Sequence, residues 1–122
     1  MKVRTALLED NLESTEPARG EPPMEKFKLE HGVLRVCMNL YPYLLREFEQ
    51  LCQRLLRFTN RTVYIDLSEC DFVSTVFLST MIRTHLEAQR QERKLVLKIG
   101  PSLEQFFVYA SLDKTFIIEK VG

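Results

Sequence analysis

Apolar residues recur along this chain with two different periods, and the switches between those periods predict its elements. Phe27 and Leu29 alternate with charged residues between Lys26 and Glu30, and an extended pattern resumes from Val33 to Leu40 after His31-Gly32. Two short strands around a glycine-containing turn predict a hairpin. At Tyr41-Pro42 the period changes. Leu44, Leu45, Phe48, Leu51, Cys52, Leu55 and Leu56 then share one side of a helix, with charged and amide residues between them. Pro42 suits the first turn, where its missing N–H has no helical partner to lose.

Thr59-Asn60 interrupts that pattern, and Val63, Tyr64, Ile65 and Leu67 predict a central strand whose near-continuous apolar run suggests cover on both faces. A second helix is expected after Thr75, with Phe77, Leu78, Met81, Ile82, His85 and Leu86 on one side. LysLeuValLeuLysIleGly (94–100) predicts the next strand, closed by Gly100-Pro101. A third helix follows with Leu103, Phe106, Phe107 and Ala110 inward, and residues 115–121 predict a last strand. The order β-β-α-β-α-β-α-β alternates in its second half, which predicts an α/β sheet with parallel neighbours.

Residues 1–23 read differently. The stretch 14–23 combines Pro, Gly and Glu with nothing able to pack, as in a tail or linker. Ahead of it, MetLysValArgThrAlaLeuLeuGluAsp suits one extra strand or a helical turn, and the sequence leaves both open. The regular part, 24–122, has the size of one domain.

Composition narrows the function classes. Hydrophobic residues make up 45% and charged residues 28%, a globular balance. Lys+Arg and Asp+Glu both number 17, so no net field draws the chain to nucleic acid or to an anionic membrane. No apolar run approaches the roughly 20 residues of a bilayer span, and no membrane insertion is expected. The N-terminus meets acidic residues too soon for a secretory signal. Cys37, Cys52 and Cys70 show neither CxxC nor Cys/His ligand spacing, so free thiols in a reducing, cytoplasmic setting are expected, with no metal and no cofactor.

Catalytic chemistry lacks its parts. Only His31 and His85 are present, one in the expected hairpin turn and one on the apolar side of a helix. The four glycines do not cluster into a phosphate loop. The segment ValCysMetAsnLeu brings no acidic pair to the end of its strand. An enzyme is not expected.

What remains is the junction at Ser74 and Thr75. A hydroxyl just before an apolar-periodic run is first of all an N-cap, contributing about 1 kcal/mol. The same position suits a phosphate, whose charge would sit beside the positive end of a helix dipole while opposing a docked partner. Val76, Phe77 and Leu78 cannot all face the core, so at least one is expected to point outward.

Residues 24–122 resemble the STAS family, the domain of sulphate transporters and bacterial anti-sigma-factor antagonists. TyrIleAspLeuSerGluCysAspPheVal is similar to the family's apolar strand, Asp-Leu-Ser and approach to the helix. SerThrValPheLeu (74–78) stands where the family typically has Asp-Ser-Ser-Gly-Leu. LysLeuValLeuLysIleGly, the Phe106-Phe107 helix and LeuAspLysThrPheIleIle resemble its closing elements. The resemblance implies a STAS-like mixed β-sheet with helices packed mainly on one face. It also places Thr75 at the family's phosphorylated serine, puts Ser74 in place of the aspartate, and puts Phe77 in place of the glycine. By analogy the phosphoacceptor is Thr75 or Ser74, and the partner-binding surface comprises Ser68, Asp71, Ser74, Thr75, Val76 and Phe77. Asp66 is expected to tie down loop amides. The implied partners are an anti-sigma factor with serine kinase activity and a phosphatase, and a homodimer is compatible with the pattern. The implied function is a partner-switching regulator of transcription. The alternatives are an unphosphorylated accessory subunit of a bacterial lipid-transport ATPase and a stressosome-type scaffold.

Overall fold

The computed structural model describes residues 25–122, so the expectations for 1–23 lie outside the described residues. Strands β1 (Phe27–Glu30) and β2 (Val33–Val36) form the expected antiparallel hairpin. Its turn is His31-Gly32, both left-handed at φ 55° and 77°, the conformation that matches a two-residue turn to strand twist. A Cβ on Gly32 would come within 2.8 Å of the exposed Asn60 side chain and displace it, but the positive φ is what favours glycine here.

After the hairpin, helices and strands alternate: α1 (Leu45–Leu55), β3 (Thr62–Leu67), α2 (Leu78–Arg90), β4 (Lys94–Ile99), α3 (Pro101–Tyr109) and β5 (Ile117–Lys120). The five strands lie side by side in chain order, and every pair after the hairpin is parallel. Short 3-10 turns lead into the two long helices, Pro42–Leu44 ahead of α1 and Thr75–Phe77 ahead of α2. Among the described residues, no helix is long and apolar enough to cross a membrane.

The register divides the sheet into two unlike faces. Leu34, Ile65, Leu97 and Ile118 stand in one row across four strands. They pack with Phe48 and Leu55 of α1, Met81 and Ala88 of α2, and Leu103 and Phe107 of α3. Val33, Tyr64, Val96 and Ile117 form the next row, facing the opposite way and outside that cluster, although Val96 is itself buried. Among the described residues the helices therefore cover one face of β3, and its other face is half-buried at Tyr64. Tyr64 and Asp66 point to the face away from the core, while Val63, Ile65 and Leu67 point into it.

Several packing expectations are corrected. Leu86 is half exposed, and Thr80 and Thr84 are buried in its place. The hydroxyl of Thr80 donates to Glu49 on α1 at 3.2 Å, so polar positions face the other helix. Ala110 is exposed because α3 ends at Tyr109 and the chain reverses at Ser111, φ 58°. Phe116 is buried although β5 begins only at Ile117, and its ring meets His85 edge-on at 5.6 Å. β2 stops at Val36, short of Leu40, because the chain then leaves the sheet to pair with the loop after β3.

The far end of α1 is closed by a residue distant in sequence. The guanidinium of Arg93, just before β4, donates to the carbonyls of Leu56, Phe58 and Asn60. Carbonyls at a helix C-terminus have no intrahelical donor, and a cation there also meets the negative end of the dipole.

Candidate functional site

The carboxyl ends of β2 and β3 run into two loops, 37–41 and 68–74, that are laced together. Leu40 and Val73 form an isolated parallel bridge, with Leu40 N–H donating to Phe72 O at 3.0 Å and Ser74 N–H to Leu40 O at 2.9 Å. The side-chain oxygen of Asn39 accepts from the backbone N–H of Asp71 at 2.7 Å and of Phe72 at 3.2 Å. The thiol of Cys70 donates to Met38 O at 3.2 Å. Burial of Cys70 pushes its thiol up to about 12, and Glu69, Asp66 and Asp71 nearby push the same way, so it stays a protonated donor.

Asp66 holds the beginning of the second loop. Its Oδ1 accepts from both the backbone N–H (3.0 Å) and the hydroxyl (2.6 Å) of Ser68, with Arg35 at 4.0 Å from Oδ2. Gly100 closes the packing from the other side, since a Cβ there would lie 2.9 Å from Ser68 O. The hydroxyl of Ser68 is thereby committed within the chain.

The loop delivers Ser74 in an extended conformation (φ −65°, ψ 143°), and its hydroxyl accepts from Val76 N–H at 3.4 Å. Ser74 is the N-cap. Thr75 follows in the first turn, exposed, with no hydrogen bond from its hydroxyl among the described residues. Asp71 is exposed, and Val76 is 43% exposed. Phe77 is not on this surface. It is fully buried and meets Phe48 of α1 edge to face at 5.3 Å, which corrects the expectation that it lines a contact surface. Of three consecutive apolar residues, Val76 is the one turned outward, while Phe77 enters the core and Leu78 is half-buried.

The lacing also gathers residues that the sequence reasoning left out of the site. Tyr41 and Phe72 come from different loops, yet their rings lie 5.4 Å apart, and Tyr43 stacks on Tyr41 at 6.4 Å. All three are exposed, Tyr43 by 65%. A pair of tyrosines flanking Pro42, outside the helical period, was the available signal. The other was the extended run 70–74, in which Val73 turns inward and Phe72 outward. The resulting surface is an aromatic cluster beside a helix start that exposes a hydroxyl and a valine.

Polar chemistry is concentrated elsewhere. A cleft of about 320 Å³ between α1 and α2 is bordered by Glu49, Cys52, Thr80, Arg83 and Thr84. Its main charges are spent on each other, because Glu49 accepts from both Thr80 and Arg83. Burial pushes the Cys52 thiol up to about 12, which leaves it a poor nucleophile. Among the described residues no three His, Cys, Asp or Glu side chains gather as metal ligands.

A scan against models of protein families finds no match, and a search of curated proteins finds none either. Among solved structures, the chain is similar to the NMR structure of the protein TM1081, with a TM-score of 0.60 and 15% identity. That likeness covers 88% of this chain and 90% of the other. At such identity it shows a shared fold.

Proposed function

We propose that this chain is a STAS-like, anti-sigma-factor-antagonist type of partner-switching regulator that docks a protein at the start of α2. The observation that carries the reading is the exposed cluster of Tyr41, Tyr43 and Phe72 beside the unengaged hydroxyl of Thr75. Exposed aromatic side chains supply contact area at low entropic cost and are enriched where proteins dock. The sequence resemblance at 62–78 and the mixed sheet with its helices on one face support the same reading.

Thr75 is the better acceptor of the two hydroxyls, because Ser74 is occupied as the N-cap. A phosphate on Thr75 would bring nearly two negative charges to the amino end of a long helix, where the fold tolerates them. The same charges beside three exposed rings would oppose an apolar partner surface. Binding would thus switch off without refolding. The partner implied is an anti-sigma factor with serine kinase activity, and a phosphatase would restore the bound state.

Incubation with a cognate anti-sigma kinase and ATP is expected to add the mass of one phosphate, lost in Thr75→Ala and kept in Ser74→Ala. Complex formation with that kinase is expected to be abolished by Thr75→Glu. A chain that binds such a kinase equally well with Thr75→Glu, and never gains phosphate, would overturn the switch.

A second reading, a constitutive subunit of a larger assembly such as a lipid-transport ATPase, draws on one feature. The first turn ahead of α2 has no acidic residue, so the carboxylate that the family places beside its acceptor is missing. Under that reading the aromatic surface is permanently covered and Thr75→Glu leaves assembly intact.

A further inference from the structure

The face of the sheet opposite the core is half finished. Val33, Tyr64, Val96 and Ile117 make an apolar row across β2 to β5; Val96 at its centre is buried, Val33 and Tyr64 are half-buried, and Ile117 is 42% exposed. Charged residues flank the row, and they are unevenly matched. Over β1 to β3 the charges cancel internally, Lys28 with Glu30 at 3.7 Å and Arg35 with Asp66 at 4.0 Å. Over β4 they do not. Lys94 and Lys98 stand two residues to either side of Val96, and neither has an ion-pair partner among the described residues. Lys98 instead lies over the Tyr64 ring at 5.1 Å, and Glu119, its neighbour in register, forms no bridge with it. An occupant of this face would therefore be apolar with a row of carboxylates.

The chain carries such a segment ahead of the described residues. Residues 7–13, LeuLeuGluAspAsnLeuGlu, interleave three leucines with three carboxylates and contain no cation. We propose that this segment lies across the second face of the sheet, its leucines on the Val33-Tyr64-Val96-Ile117 row and its carboxylates toward Lys94 and Lys98. The tether permits it. Residues 14–26 join the segment to β1, the edge strand, and span on the order of 40 Å when extended. The centre of β4 is three strand spacings away, roughly 14 Å. The Pro- and Gly-containing composition of 14–23 suits a connector that crosses a surface without packing on it. Occupation of this face leaves the aromatic surface at the start of α2 free, so the segment completes the domain without competing with a partner there.

The chain has no tryptophan, so Leu8→Trp in the full-length protein gives a single reporter. Its emission is expected to be blue-shifted and its quenching by acrylamide several-fold weaker than that of a free indole. Both effects should be independent of protein concentration, and both should be lost on adding Ile117→Lys. Ile117 is exposed enough for that change to leave the fold intact, as far-UV circular dichroism would verify. A second background, Lys94→Glu with Lys98→Glu, is expected to weaken the protection without touching the apolar row. Full quenching at every concentration would overturn the proposal, leaving the face to another molecule. Protection that grows with concentration would overturn it in favour of a second copy. Protection that survives Ile117→Lys would overturn it in favour of another docking place, such as the edge of β1 that no described strand pairs.

Discussion

Phe48 of α1 and Phe77 at the start of α2 meet edge to face, their ring centroids 5.3 Å apart and their planes at 82°. Both rings are fully buried. This pair couples the helix before β3 to the helix after it, and it sets which residues of the first turn of the α2 segment remain outside. With Phe77 anchored inward, Thr75 and Val76 turn to solvent.

Replacing the anchor separates packing from surface. Phe77→Ala is expected to cost about 3 to 5 kcal/mol, as for other large buried aromatics. Val76→Ala, at an exposed position, should stay within about 0.5 kcal/mol. Urea denaturation of both variants checks this, and equal costs would contradict the burial pattern.

Asn39 holds the loop that carries Phe72. One side-chain oxygen serves two backbone amides, those of Asp71 and Phe72. Asn39→Ala is expected to lower stability by about 1 to 2 kcal/mol, since both donors lose their partner. The more specific outcome is local: amide hydrogen exchange at 71 and 72 should accelerate well beyond the change at β3. Unchanged exchange there would mean that the Leu40–Val73 bridge alone holds the two loops together.

Arg93 caps α1 from across the fold. Its donors reach three carbonyls, so Arg93→Ala should cost about 1.5 to 3 kcal/mol, the range for hydrogen bonds to a charged group. Arg93→Lys should recover only part of the loss, because a point charge cannot span three acceptors as a planar fork does. Thermal denaturation of the two variants ranks them.

The thiols make a pH prediction. Burial raises Cys52 and Cys70 from 9.0 to about 12, so the folded chain keeps protons that the unfolded chain releases. The contribution of these groups is fully present below about pH 9 and is lost progressively as pH rises from there toward about 12. Stability measured by urea titration should fall over that alkaline window, and Cys52→Ser with Cys70→Ser should flatten the fall. Alkylation of the native chain at mildly alkaline pH should label Cys37 first, since it is half-buried while Cys52 and Cys70 are buried.

The order of the elements was legible because it rests on local information. Periods of two and of 3.6 residues mark strands and helices wherever one face is buried, and Pro42, Gly32 and Gly100 punctuate them at positions set by backbone chemistry. The strand beginning at Lys94, the hairpin turn at His31-Gly32 and the hydroxyl start of α2 all follow from neighbours in the chain. So did the expectation that a hydroxyl at Ser74 or Thr75 caps a helix, a role that falls to Ser74.

The exposed aromatic surface was not legible, for a geometric reason. Tyr41 and Phe72 are thirty-one positions apart, and only the parallel pairing of β2 with β3 brings their loops together. A residue's period says that it points inward or outward, never which distant residue it will meet. For the same reason Phe77 read equally well as exposed or buried until Phe48 stood opposite it. The apolar run of β3 likewise suggested two covered faces, whereas among the described residues the helices pack on one. The sequence by itself determined which segments are strands and helices, because those choices minimise local cost. Tertiary structure alone decided which faces are shared and which are left open, because that depends on register between segments remote in the chain.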